Sequence, residues 1–269
     1  GSPVQVLPSH TVQELRHWSE LELDFAIIGI DRCGTTSLYR NLARHPQISF
    51  TPSAEDPMLT FGKSASGQPA YTGDRRLLPL KSQVQEFNSL RTGKLHGLKN
   101  ADIFHNALAR EILTKIPGLK ALLIGCDLAS RFERIFFHSF CSLGTCRPTI
   151  EETICNRSTD SFWNETRLLT APHLQTVSAN FPLLVTHQEF IRRSPRESYQ
   201  LLAQALGVAP FPENTKFVRI GGEPGMRTGL CRNTSLLSRL QWHLKDEYRA
   251  LERIIDPRCR EQVKCRRAL

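Results

Sequence analysis

Short apolar runs without alternation punctuate the chain. They lie at Phe25 to Ile30, Leu119 to Ile124 and Phe181 to Phe190. Such runs predict strands of a parallel sheet buried on both faces. Between them, apolar positions recur at helical spacing. Helices are expected from about Thr36 to Arg44, near Leu80 to Leu90 and from about Asn106 to Lys115. Others are expected over Leu168 to Ala179, Pro195 to Leu206 and Leu236 to Ile255. The stops have physical causes. His45-Pro46 ends the first helix, because the residue before a proline is pushed out of the helical region. Pro117-Gly118 breaks the third, and Gly207 closes the one that starts at Pro195. The pattern reads as one α/β domain. Residues 1–23 form an N-terminal arm, 24–255 the core and 256–269 a basic tail. Ser139 to Glu165, rich in Cys, Ser and Thr, reads as an exposed excursion rather than core.

Composition adds compartment and charge. A chain of 269 residues buries a sizeable core, and 40% hydrophobic and 23% charged content are ordinary for a globular protein. The charge balance is 35 − 26 = +9, which favours anionic partners. Lys and Arg are spread out, and no nucleic-acid motif is present, so nucleic acid is not an expected partner. No apolar run is long enough to cross a membrane. The Gly1-Ser2 start reads as the remnant of a cleaved tag, leaving room for a removed membrane anchor. Sequons at Asn156, Asn164 and Asn233, with eight cysteines, point to a secretory lumen. Pairing does not follow from the sequence, and Cys33 reads as unpaired.

The chemistry concentrates after the first apolar run, in Gly29-Ile30-Asp31-Arg32-Cys33-Gly34-Thr35-Thr36-Ser37. A strand, a turn with glycine at both ends and a hydroxyl-rich helix start aim free backbone amides at an anion. Arg32 adds a fixed charge, and Thr35, Thr36 and Ser37 add hydroxyls. Gly29 and Gly34 have the spacing of a nucleoside-triphosphate loop, but Thr35 stands where that motif needs lysine. The stretch resembles instead the 5′-phosphosulfate loop of sulfotransferases, basic-x-Gly-Thr-[Thr/Ser], followed by His-Pro in glycan-modifying members. This chain has Arg32-Cys33-Gly34-Thr35-Thr36 and then His45-Pro46.

Further stretches resemble that family in order over residues 24–255. Ala54-Glu55 matches a Lys-Glu pair whose Glu is the proposed base, with the Lys missing; Asp56 is a neighbouring alternative. Tyr71-Thr72-Gly73 resembles an acceptor segment. His96 to Asp102 resembles a strand end that presents Lys99 to the sulfuryl group or an acidic substrate. Cys126 to Arg134 stands where the family binds the 3′-phosphate through Arg-[Asp/Asn]-Pro-x-x-Arg-x-x-Ser. Asp127 and Arg131 match, while Cys126 replaces the first Arg, Leu128 the Pro and Arg134 the Ser. Arg134 lies one turn beyond Arg131 and would restore a charged contact. Arg227-Thr228-Gly229, in a late glycine-rich loop, would close over the nucleotide.

The resemblance implies an α/β fold of P-loop-like, three-layer α/β/α type with a central parallel sheet. It implies transfer of a sulfuryl group from 3′-phosphoadenosine 5′-phosphosulfate (PAPS) to a hydroxyl, leaving 3′-phosphoadenosine 5′-phosphate (PAP), with no metal required. Arg32, Glu55 and Lys99 would carry the chemistry. Arg32, Cys33, Gly34, Thr35, Thr36, Ser37, Arg131, Arg134, Arg227, Thr228 and Gly229 would hold the donor. The expected partner is an anionic or neutral glycan, a glycosaminoglycan or other polysaccharide, in the Golgi lumen. Two alternatives stay open: a small phenol or alcohol acceptor, and a fold that binds anionic glycan without catalysis.

Overall fold

The computed structural model describes residues 14–53, 55–56, 58–59, 78–142, 145–146, 149–155, 170–218, 230 and 233–254. The chain begins with β1 (Phe25–Gly29), α1 (Thr35–Leu42), β2 (Ile48–Phe50), α2 (Lys81–Ser89) and β3 (Leu95–Lys99). It continues through α3 (Ala107–Leu113), β4 (Lys120–Gly125), α4 (Leu128–Phe140), a small hairpin of β5 (Cys141–Ser142) and β6 (Thr145–Cys146), and α5 (Ile150–Cys155). The last described elements are α6 (Ala171–Asn180), β7 (Leu183–His187), α7 (Gln188–Arg193), α8 (Pro195–Leu206), α9 (Thr234–His243) and α10 (Lys245–Ile254).

The sheet has five strands in the order β2-β3-β1-β4-β7. Every pairing in it is parallel, and helices flank it. This is the expected α/β architecture. β1 is central and buried at all five positions, which is why its sequence carries no polar alternation. The chain leaves β1 toward β2 on one edge and leaves β4 toward β7 on the other. The carboxyl ends of β1 and β4 therefore border a crevice, the place where ligands settle in open α/β sheets.

Packing fixes what these strands present. Phe25 on β1 meets Phe50 edge-on at 5.3 Å between ring centroids. A β-carbon on Gly97 of β3 would stand 2.4 Å from the Phe25 ring. Only glycine lets β3 lie so close, and β3 is the strand that delivers Lys99. Asn41 ties the far end of α1 to α8, donating to the Ser37 carbonyl and the Tyr199 hydroxyl, both at 2.9 Å. The buried Glu247 carboxylate of α10 accepts from Thr170 N, Thr170 Oγ1 and Ala171 N at 2.5–2.6 Å. It thereby satisfies the open amides at the start of α6.

Several sequence expectations need correction. Residues 188–190 are helical, so the third apolar run ends as a strand at His187. Leu236 to Ile255 was expected as one helix. It is two, α9 and α10, with Leu244 between them at φ −94° and ψ 12°. The exposed excursion contributes core after all: α5 carries Ile154, which is buried in the hydrophobic cluster. The arm also anchors itself, because Trp18 and Leu21 are buried in that cluster.

Gly97→Ala tests the strand packing. Overpacking against Phe25 is expected to cost about 1–3 kcal/mol in urea unfolding. Wild-type stability would show that β3 has room to move.

Candidate anion-binding active site

Five residues connect β1 to α1, and their backbone is unusual. Arg32 has φ 59° and Gly34 has φ 101°, both left-handed. Gly34 is the N-cap of α1. The left-handed backbone calls for glycine, and a β-carbon there would press on the Gln188 carboxamide, 3.2 Å from Nε2. The helix start is left without a side-chain cap, and its amides stay available for an anion. Thr35 is buried, Thr36 and Ser37 half-buried, and Arg32 exposed at the loop edge.

Two linkages pin this loop to α4, which begins after β4. The first is an ion pair. Arg131 is fully buried; its Nε donates to the Asp31 carbonyl at 3.1 Å and its Nη2 to the Asp31 carboxylate. Burial alone would raise Asp31. The hydrogen bond from His105 and the Arg131 guanidinium outweigh it and hold the carboxyl down to about 2. The second linkage is a disulfide between Cys33 and Cys126. It corrects the expectation that Cys33 is unpaired. Both sulfurs sit at the carboxyl edge of adjacent strands, which sequence separation conceals. The bond spans 93 residues, and in the chain-entropy account closing such a loop stabilises by roughly 4–5 kcal/mol.

Arg134 lies beside Cys126. Its Nη2 lies 3.2 Å from Cys126 Sγ and its Nη1 donates to Gln188 Oε1 at 3.4 Å. Its Nε is buried without a hydrogen-bond partner among the described residues. Burial lowers its pKa, Asp127 opposes that, and the Arg131 and Arg32 charges lower it further. Three guanidinium groups thus gather where α1 and α4 begin. An anion there would relieve their repulsion and pair with the orphan donor. At α4, Asp127 accepts from Ser130 N at 2.7 Å and serves as the N-cap.

The opposite wall holds Lys99 and Glu55. Lys99 ends β3, is fully buried, and donates to Thr36 Oγ1 at 3.4 Å and to the Glu55 carboxylate. Burial pushes its ammonium down to about 8, with Asp102 opposing. Glu55 keeps 57% of its side chain exposed, and its other oxygen accepts from Ala101 N at 3.2 Å. The alternative carboxylate, Asp56, is buried and accepts from Met58 N at 2.9 Å.

The structure therefore brings together Arg32, Cys33, Gly34, Thr35, Thr36, Ser37, Glu55, Lys99, Arg131 and Arg134. It turns Arg131 toward the loop itself, through Asp31. Arg227, Thr228 and Gly229, and likewise Tyr71-Thr72-Gly73, lie outside the described residues. Sequence reasoning missed Asp31, Gln188 and His105. The two cysteines, each just beyond an apolar run, were the one signal that could have revealed the clamp.

Comparisons with known proteins give the fold. The crystal structure of a sulfotransferase from Alicyclobacillus acidocaldarius matches over 83% of this chain and 96% of its own, with TM-score 0.55 and 18% identity. The sulfotransferase domain from the curacin biosynthetic pathway matches over 76% and 81%, with TM-score 0.47 and 13% identity. The sulfotransferase domain from the Synechococcus PCC 7002 olefin synthase matches over 88% and 96%, with TM-score 0.45 and 16% identity. No family model matches the chain, and a search of curated proteins finds no match. The first structure shares this chain's fold.

Lys99 generates a pH prediction. It carries its charge below about pH 8 and loses it above. Affinity for inorganic sulfate, a probe of the anion loop, is therefore expected to fall as pH rises through that value. Lys99→Arg, which stays protonated, should move the fall above pH ~10. An identical profile for the two proteins would remove Lys99 from the anion site.

Proposed function

We propose that this chain is a carbohydrate sulfotransferase. It would move a sulfuryl group from PAPS to a hydroxyl of a glycosaminoglycan or other polysaccharide. The observation that carries the reading is the buried Lys99 ammonium, joined on one side to Thr36 of the anion loop and on the other to the Glu55 carboxylate. A loop built for a nucleoside triphosphate keeps its lysine inside the loop, at the position Thr35 occupies here. Here the cation comes from the neighbouring strand and links the loop to a base.

The donor supplies an activated sulfur–oxygen bond to phosphate; the chain supplies position and charge. The α1 amides with Thr35, Thr36 and Ser37 hold the 5′ side. Arg32 offsets the charge that grows on the departing phosphate oxygen; always protonated, it stabilises without donating a proton. Lys99 steadies the sulfuryl oxygens. Glu55 takes the proton from the acceptor hydroxyl as that oxygen bonds to sulfur and the sulfur–phosphate oxygen bond breaks. Arg134, with Arg227, reads the 3′-phosphate, and Arg131 keeps the loop in shape through Asp31. The orphan Nε of Arg134 and the uncapped start of α1 fit such a ligand.

The acceptor class rests on charge and access. A net charge of +9 suits an anionic polymer, and the exposed face of Glu55 admits a hydroxyl on a large chain. The disulfide and the sequons favour an oxidising lumen. We place the protein in the Golgi lumen.

The test is transfer of labelled sulfate from PAPS to heparan, chondroitin and a small phenol. Label is expected on a glycan. Glu55→Gln should lower kcat by about 100-fold or more, with donor affinity nearly unchanged. Label on the phenol alone would overturn the acceptor class. Donor binding without transfer to any acceptor would leave a glycan-binding module.

A further inference from the structure

Gln188 opens α7 at the carboxyl end of β7. Its residue type and position suggested no role in the sequence. Its side chain nonetheless meets both halves of the anion site. Nε2 stands 3.2 Å from where a β-carbon of residue 34 would be, so the carboxamide rests against the glycine that starts α1. Oε1 accepts from Arg134 Nη1 at 3.4 Å. Arg134 in turn lies against Cys126, the cysteine bonded to the loop.

We propose that Gln188 is a positioning residue that aims Arg134 into the crevice between β1 and β4. It does so while touching the start of α1, so the charge that reads one phosphate is set at a fixed offset from the loop that reads the other. This rests on the PAPS reading above. The amide suits the role because it is neutral. Its oxygen orients the guanidinium without cancelling the charge, and its N–H₂ group adds a donor beside the helix start. A carboxylate at the same place would pair fully with Arg134 and repel an anion. Gln188 thus gives Arg134 a defined direction. Around this arginine the Asp127 and Glu133 carboxylates favour its charge and the Arg131 and Arg32 guanidinium groups oppose it; Gln188 adds a neutral acceptor oxygen in direct contact.

Calorimetric titration tests the assignment, using PAP and adenosine 5′-phosphosulfate, which lacks the 3′-phosphate. Wild type, Gln188→Ala, Gln188→Glu, Arg134→Ala and the double Gln188→Ala/Arg134→Ala protein are compared, with melting temperature measured for each. Gln188→Ala is expected to weaken PAP by about tenfold and adenosine 5′-phosphosulfate by less than about twofold. Gln188→Glu should weaken PAP more than the alanine variant does. In the Arg134→Ala background the further loss of Gln188 should change PAP affinity by less than about twofold, because the two act as one unit. Equal losses for the two ligands, or losses that multiply in the double variant, would overturn the positioning role, as would wild-type PAP affinity in Gln188→Ala. Those outcomes leave the donor reading standing. A folded wild type that binds no PAP would remove the donor reading and this inference together.

Discussion

A buried guanidinium needs an anion, and Arg131 has taken its anion from the loop it supports. The side chain is wholly shielded from water, where an unpaired charge costs several kcal/mol. Asp31 supplies both a carboxylate and a carbonyl oxygen. That pair fixes the backbone just before Arg32 and Gly34, the two residues in left-handed conformation. The direction of the α1 amides follows from it. Losing one partner of such a pair typically costs about 3–5 kcal/mol, so loop shape and domain stability are bound together. The Cys33–Cys126 bond adds a covalent tie two residues further along the same loop.

This clamp gives position 126 a structural task at the carboxyl end of β4. An arginine at position 126 would put its charge directly at the strand end; a cysteine there ties down the loop instead. The charge returns from Arg134, on the same face of α4 as the structural Arg131. Two arginines one turn apart then divide the labour. Arg131 faces Asp31, and Arg134 faces Cys126 and Gln188. Across the crevice, β3 slides close to β1 because residue 97 has no side chain, and Lys99 reaches the loop.

The sheet was legible in the sequence where burial was complete. Phe25 to Ile30 and Leu119 to Ile124 are continuous apolar runs because β1 and β4 have water on neither face. The loop was legible because Gly34 and the hydroxyls after it have a local mechanical reason to be there. Glu55 and Lys99 emerged from the family resemblance, and the structure puts them in contact. Other features rest on contacts between distant residues. Asp31 meets Arg131 across 100 positions, and no local pattern announces that partner. Cys33 read as unpaired because nothing in spacing sets it beside Cys126. The break at Leu244 was hidden because an apolar residue there continues the helical pattern, with no glycine or proline to mark the turn. Gln188 was absorbed into an expected strand, although the chain turns helical at that residue.

The central claim is that this loop, with its cation supplied by Lys99 and its clamp by Asp31–Arg131, receives a 5′-phosphosulfate nucleotide rather than a metal-bound triphosphate. The most direct measurement is a pair of calorimetric titrations on the same folded, disulfide-bonded sample, one with PAP and one with magnesium ATP. The account predicts micromolar PAP binding, about −8 kcal/mol, and no heat of binding from magnesium ATP. Tight binding of magnesium ATP with no response to PAP would contradict it.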